Sequence, residues 1–283
     1  MKKLLGLLKK NIKDLISLEQ TKNKIKDLGN KIKDLGNKNK DFEDKIRDLE
    51  QEIIYFKEKN SYQKKIMRNL DLREIPAIYI NLEKHIEKNQ RMQKILKECG
   101  FKKIIRVEGV DNPENTVAGC ACAHFKGLSI LDPPFILFED DCKIKKFKPE
   151  IDVPIDSDAV YLGISHWGRM NGHSGPYVQY EHLFNDLYRV FNMLSGHSIL
   201  YLSDEYVGMC KRISEHAGYV IRDHQDIGFA EIQRWFKIYA FDNPFFYQTS
   251  SYSATVNPLT SYPTEKCLNF NKRYFLPKRY RKR

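Results

Sequence analysis

The chain has no apolar run long enough to cross a membrane, because none approaches the ~20 residues that a spanning helix needs. The short apolar segment near the start, Leu4 to Leu8, is followed by charge instead of a cleavage site, so it does not resemble a signal peptide. Six cysteines in 283 residues are too few for a disulfide-based fold, and no C-x-x-C pair is present. These absences predict a cytoplasmic protein whose cysteines are reduced. The protein is expected to be either free in the cytoplasm or peripheral at a membrane.

Acidic residues are missing from one end of the chain. Residues 272 to 283 hold seven basic and no acidic side chains, and residues 1 to 70 hold 19 basic and 11 acidic ones. Residues 71 to 271 hold 22 basic and 26 acidic side chains, so the formal net charge of +11 belongs to the two ends. This distribution disfavours a nucleic-acid binder. The basic tail, 272 to 283, is typical of a segment that contacts anionic lipid, although a solubilising tail is the simpler interpretation.

A seven-residue repeat fills the first seventy positions, with NKIKDLG at 23 to 29 and again at 30 to 36. With Ile25 at position a, Ile and Leu recur at a and d, and Asn39 falls at an a position. This pattern is typical of a parallel two-stranded coiled coil whose register a buried Asn fixes. We therefore predict a coiled coil over residues 1 to 72, clearest from 18 to 70, that forms a homodimer. A single long helix folded onto the rest of the protein is the alternative.

Pro76 marks the start of a second domain, predicted to span residues 76 to 271, because proline does not continue a helix. Strand-like and helix-like segments alternate after it. The strands are predicted at 77 to 82, 103 to 107 and 135 to 138, and the helices at 83 to 99 and 118 to 131. Such alternation predicts an α/β fold with a mostly parallel sheet and helices on both of its faces.

Three acidic residues, Glu139, Asp140 and Asp141, directly follow the apolar strand FILF. Ligands of α/β proteins bind beyond the carboxyl ends of the strands. Side chains two residues apart point the same way in an extended chain, so Glu139 and Asp141 are expected to share a face while Asp140 turns toward the scaffold. Carboxylates so placed suit Mg²⁺ or Mn²⁺ bridging a diphosphate. An ordinary solvated turn is the alternative.

Several segments of the middle domain occur in the order typical of a known family. They are YINL (79 to 82) followed by Arg91, Gly119 and Cys120 with Ala123 and His124, ILFEDD (136 to 141), DAVYLG (158 to 163), SGHSILYLS (195 to 203), DHQDIGFAEI (223 to 232) and NPFFYQTSSYS (243 to 253). Together they resemble glycosyltransferase family 25, which includes lipooligosaccharide and procollagen galactosyltransferases. The resemblance covers residues 77 to 253. Ala123 departs from it, since the family carries a serine before the histidine.

The resemblance implies a GT-A type fold and inverting transfer of galactose or glucose from a UDP-sugar to a glycan, protein or lipid-linked acceptor. It also implies Mn²⁺ or Mg²⁺ held by Asp141 and Glu139. The residues it implies for binding the nucleotide sugar are Tyr79, Asn81, Arg91, His124, Glu139, Asp140 and His197. An inactive coiled-coil adaptor with a glycosyltransferase-like domain is the alternative.

The base that deprotonates the acceptor is expected to be Asp226, with Glu231 as the second candidate. Each site residue also has a structural interpretation. Asp226 could be a helix N-cap and Glu231 half of a surface salt bridge. Arg91 could lie on a solvated helix face, and the two histidines, His124 and His197, could be hydrogen-bonded core residues.

Overall fold

The computed structural model describes residues 67 to 248 without a break, together with residues 26 to 31, 33 to 36, 38, 39, 42, 45 and 46. The chain divides into two compact units, Met1–Lys65 and Ile66–Arg283. Within the described residues, no helix has both the length and the apolar character needed to cross a membrane. The basic tail and the rest of the first seventy residues lie outside the described part, so the predictions made for them stay predictions.

The described residues of the first unit are all helical. Ion pairs four residues apart join described helical residues, Lys31 with Asp27 at 2.8 Å and Lys38 with Asp34 at 2.9 Å. Among the described residues of this unit, the large apolar ones at a and d positions are exposed to between 56% and 64%, namely Leu28, Leu35, Phe42 and Ile46. Large apolar side chains in a regular heptad stripe are what a coiled-coil partner would cover.

The second unit is a mixed α/β domain. Four α-helices are described in it, α1 (Ile86–Glu98), α2 (Thr116–Leu128), α3 (Asp204–His216) and α4 (Gln225–Ile232). The strands are β1 (Met67–Asp71), β2 (Ala77–Asn81), β3 (Ile104–Glu108), β4 (Phe135–Glu139), β5 (Cys142–Ile144), β6 (Glu150–Pro154), β7 (Ala159–Tyr161), β8 (Gly168–Met170), β9 (His173–Gly175), β10 (Tyr180–Phe184), β11 (Leu187–Val190), β12 (Ser198–Tyr201), β13 (Ile238–Phe241) and β14 (Phe246–Gln248).

Eight of these strands form one large sheet in the order β10-β11-β13-β7-β12-β4-β2-β3. The α/β class is therefore confirmed, but the prediction of a mostly parallel sheet is wrong. Strands β2, β3 and β4 run parallel, as do β7 and β13, whereas β12 is antiparallel to both of its neighbours. The parallel βαβ units were recognisable from alternating segments, but strand β12 enters between β4 and β7 through contacts distant in sequence.

A separate apolar core lies on each face of the large sheet. One core packs Met92 and Leu96 of α1 against Tyr79 and Phe138. The other packs α2, α3 and α4 against the alternate strand residues, such as Ile78. The odd and even residues of each strand enter different cores because successive side chains point to opposite faces. Helices on both faces were therefore predicted correctly.

The carboxyl end of the predicted coiled coil needs a correction. Met67 and Leu70, which the heptad assignment placed at core positions, belong to strand β1, which pairs with β6. Leu72 is fully buried in the α1-side core of the domain. The heptad assignment is wrong for these residues because strand pairing and burial in the second unit outweigh a weak local helix preference.

Candidate functional site

Four chain segments meet at one edge of the large sheet. Strands β2 and β4 are parallel neighbours and end together, because Ile80, one residue before the end of β2 at Asn81, is paired with Glu139 at the end of β4. Strand β12 runs the other way, so the residues that precede it reach the same edge. Strand β14 pairs with β5, with Gln248 opposite Cys142. The acidic segment 139 to 141 lies where these segments converge.

Asp140 is held by the scaffold. Its carboxylate accepts hydrogen bonds from Asn81 Nδ2 at 2.7 Å and Lys88 Nζ at 3.2 Å, and its carbonyl accepts one from Arg91 at 2.7 Å. Asn81 is 1% exposed and also accepts from Arg106 Nε at 3.2 Å. Asp140 therefore fixes the turn and holds Lys88 and Arg91 at this edge of the sheet, while Asn81 holds Arg106.

Glu139 and Asp141 point the same way, as their spacing predicts. The amide nitrogen of Gln248 donates to Glu139 Oε2 at 3.1 Å and to Asp141 Oδ2 at 3.0 Å. One nitrogen atom thus binds two carboxylates, which sets their oxygens close together. This is the arrangement that a divalent cation with oxygen ligands requires.

The other carboxylate oxygen of Glu139, Oε1, contacts a different group of side chains. The Nε2–H of His124 donates to Glu139 Oε1 at 2.9 Å, and His124 is 1% exposed. Cys120 lies one helical turn before His124, and Gln225 Nε2 donates to its sulfur at 3.8 Å. The ligand atoms of Cys120, His124 and Glu139 all lie within 4.8 Å of one another. This second group has the composition of a softer, zinc-type site.

Two residues implied to bind the nucleotide sugar, Tyr79 and His197, make no side-chain hydrogen bond to Glu139 or Asp141 within residues 67 to 248. The hydroxyl of Tyr79 is buried against α1, where it donates to Asn89 Oδ1 and accepts from Gln93. His197 is a buried core histidine that hydrogen-bonds Ser195 Oγ through Nδ1 at 2.9 Å. Its carbonyl, instead of its ring, supports the site by accepting from the Glu139 N–H at 2.9 Å. Tyr79 and His197 are therefore supporting residues.

The two candidate bases stand in different surroundings. Helix α4 begins at Gln225 with His224 as its N-cap, so Asp226 is not the capping residue. Asp226 is half-buried and close enough to Glu139 to feel its charge. Glu231 lies one turn further along, half exposed, and forms a salt bridge with Arg169 at 3.3 Å. The structure therefore agrees with the interpretation of Glu231 as half of a surface salt bridge. It does not agree with the interpretation of Asp226 as a helix N-cap.

Burial and mutual repulsion shift the pKa values of these acids. Burial, with the charge of Glu139 adding to it, raises the pKa of Asp141 to about 7. Burial also raises the pKa of Asp226, again with a contribution from Glu139. For Glu139 burial acts in the same direction, but the hydrogen bond and charge of His124 outweigh it and its pKa is lowered. Glu139 is therefore the carboxylate that stays ionised. Burial and the charge of Glu139 disfavour the ionised forms of Asp141 and Asp226.

The raised pKa of Asp141 predicts a pH-dependent stability in metal-free protein. Between its ordinary pKa of 3.8 and about 7, the folded state binds more protons than the unfolded state, so the free energy of unfolding falls as the pH rises. Asp141→Asn cannot ionise, and we expect it to melt at a higher temperature than wild type at about pH 8 in EDTA. The advantage should shrink toward about pH 4. Thermal melts across this range check it, and an advantage that is constant with pH would contradict it.

Sequence reasoning missed three contributors to the site. Gln248 lies in a segment quoted for the family resemblance, but nothing local marks it as a partner of acids more than a hundred residues away. Lys88 was not singled out, because nothing in the sequence distinguishes it from the many other lysines. Cys120 was predicted only to be a reduced cysteine within the family resemblance, although its spacing of four residues from His124 places both on one helix face.

No model of a known protein family matches this chain, and no curated protein is significantly similar to it.

Proposed function

We propose that the second unit is an inverting glycosyltransferase that uses a nucleotide-sugar donor, by default a UDP-hexose, and a divalent metal ion. One observation carries the proposal. Glu139 and Asp141 face the same side at the carboxyl end of β4, which runs parallel to β2, while Asp140 between them is tied to Asn81 and Lys88. The family resemblance over residues 77 to 253, with its GT-A type fold, supports the same assignment.

The donor set at this edge fits a hard divalent cation. Glu139 Oε2 and Asp141 Oδ2 are the oxygens that would hold Mn²⁺ or Mg²⁺, since both already bind one shared nitrogen atom. The metal would supply charge neutralisation for the departing nucleoside diphosphate. Lys88 and Arg91, tied to Asp140, add positive charge to the same edge, where the diphosphate would bind.

The acceptor side of the reaction is assigned to Asp226. Inverting transfer needs a carboxylate that takes the proton of the acceptor hydroxyl as the new glycosidic bond forms. Asp226 lies in the first turn of α4, near the acidic pair, and its raised pKa makes it a stronger base than an exposed aspartate. The acceptor is a glycan, protein or lipid-linked hydroxyl.

The test is hydrolysis of UDP-, GDP- and CMP-sugars by the purified full chain with Mn²⁺, Mg²⁺ or EDTA. No acceptor is needed, because water substitutes slowly for it. Release of one nucleotide that depends on metal and is lost in Asp141→Ala would support the enzyme and identify its donor. If the protein neither turns over nor binds any of these donors, the proposal is overturned. The alternative, a coiled-coil adaptor whose domain has no activity, would then remain.

The heptad stripe predicts that the chain is a dimer through its first unit. Leu28 and Leu35, 57% and 64% exposed at consecutive d positions, would face the same residues of a second copy. We expect Leu28→Lys with Leu35→Lys to convert a wild-type dimer into a monomer, since four buried charges would meet in the seam. Light scattering after gel filtration measures the mass. Lys33→Ser, on the outer face, is the matched control and should stay dimeric; a monomeric wild type would contradict the prediction.

A further inference from the structure

We propose that Gln248 is the third protein ligand of the divalent cation at Glu139 and Asp141, and that its amide nitrogen takes the cation's place in the metal-free protein. The inference rests on the proposed function, whose metal it concerns. It assigns a role in metal binding to a residue of the last described strand, β14.

The position of the amide carries the first step. Gln248 Nε2 lies 3.1 Å from Glu139 Oε2 and 3.0 Å from Asp141 Oδ2. Both acceptors are carboxylates, so the group between them must be the NH₂ and not the amide oxygen. A Mg²⁺ ion bound to the same two oxygens would lie ~2.1 Å from each, in nearly the same place. The NH₂ and the metal therefore exclude one another.

The second step is a rotation of the amide. The terminal torsion of a glutamine is broad and roughly two-fold, so a half turn can exchange Nε2 for Oε1. A change in the other side-chain torsions withdraws the amide from the position that the metal takes, and metal coordination replaces the two hydrogen bonds that Nε2 loses. These changes require no backbone movement, and Gln248 stays paired with Cys142 between β14 and β5. After the rotation an amide oxygen faces the site, a ligand that hard divalent cations accept alongside carboxylates.

A third feature orients Glu139 for this arrangement. Its Oε1 is already bound by His124 Nε2 at 2.9 Å, which turns Oε2 toward Gln248. The resulting donor set is three oxygens from Glu139, Asp141 and Gln248. The competing set of Cys120, His124 and Glu139 would instead place a thiolate on the metal.

Two substitutions of Gln248 test the inference on the full chain without any donor. Mn²⁺ binding is followed by the loss of the free-ion signal in electron paramagnetic resonance, a readout independent of activity. We expect Gln248→Glu to bind Mn²⁺ ~10-fold more tightly than wild type and Gln248→Leu ~10-fold more weakly. Tyr247→Phe, whose side chain lies on the opposite face of β14, is the matched control and should bind as wild type does.

Melting temperatures keep the test valid if one variant folds poorly. Gln248→Glu adds a third carboxylate to the pair, so it should melt below wild type in EDTA and recover when Mn²⁺ is added. If Gln248 merely donates hydrogen bonds, Mn²⁺ should raise the melting temperature of Gln248→Glu by no more than it raises that of wild type. That result would overturn the inference.

The remaining outcomes separate the inference from the proposed function. Mn²⁺ binding by wild type with unchanged affinity in both Gln248 variants overturns only the role of Gln248. No Mn²⁺ binding by wild type overturns that role and the metal of the proposed function together. Co²⁺ provides the check on ligand type, because an intense thiolate-to-cobalt absorption band, absent in Cys120→Ser, would place the metal on the competing set and overturn the inference.

Discussion

Asp226→Asn is expected to lower sugar transfer by ~10²- to 10⁴-fold, the usual contribution of a general base. The amide keeps the size of the side chain but cannot take a proton. Asp226 lies in the first turn of α4 and half-buried near Glu139, where a carboxylate can face an acceptor. Binding of the nucleotide and of Mn²⁺ should be unchanged, because Asp226 belongs to neither the metal pair nor the turn held by Asp140.

Glu231→Gln is the matched comparison. Glu231 is half exposed and paired with Arg169 at 3.3 Å, and exposed pairs contribute little, so activity should stay within a few-fold of wild type. Turnover of the donor, with water or an acceptor, measures both variants, and their melting temperatures report on stability. Asp226→Asn also removes a charge that burial disfavours, since the pKa of Asp226 is raised, so the variant should not melt below wild type near neutral pH. A larger loss of activity in Glu231→Gln, or equal losses, would reject Asp226 as the base.

Gly163→Ala is expected to destabilise the second unit by about 3 kcal/mol, the upper end for overpacking a core. A methyl group on Gly163 would lie 1.9 Å from His197 Nε2 and 2.5 Å from Ser198 Oγ. The His197 ring is 1% exposed and hydrogen-bonded to Ser195, so it has no space to move aside. Relief of the clash would shift the His197 carbonyl, which accepts from the Glu139 N–H. The damage should therefore reach the acidic pair.

Gly208→Ala is the control for this substitution. Gly208 lies inside α3 with nothing within 4 Å of an added methyl group, so alanine should stabilise the helix by ~0.5–1 kcal/mol. Urea unfolding followed by circular dichroism compares the midpoints. The double variant Gly163→Ala with His197→Ala should be less unstable than the sum of the single variants, because it removes the clashing ring. Equal midpoints for Gly163→Ala and Gly208→Ala would contradict the prediction.

The sequence contained the local part of this fold and of its site. Strands β2, β3 and β4 and helices α1 and α2 could be recognised within a few residues, because their apolar residues recur with the period of a buried strand or an amphipathic helix. The orientation of Glu139, Asp140 and Asp141 followed from the alternation of side chains along an extended chain. Their position at the sheet edge followed from the carboxyl end of one buried strand.

Other features were absent from local patterns and arose from distant contacts. The antiparallel insertion of β12 between β4 and β7 depends on which edges remain after the parallel units form, and no short segment encodes that choice. Gln248 reaches the acidic pair only because β14 pairs with β5. The hydroxyl of Tyr79 becomes a core group only because α1 packs over it. Periodicity specifies which face of an element is buried, whereas the partner that buries it is set by the packing of the whole domain.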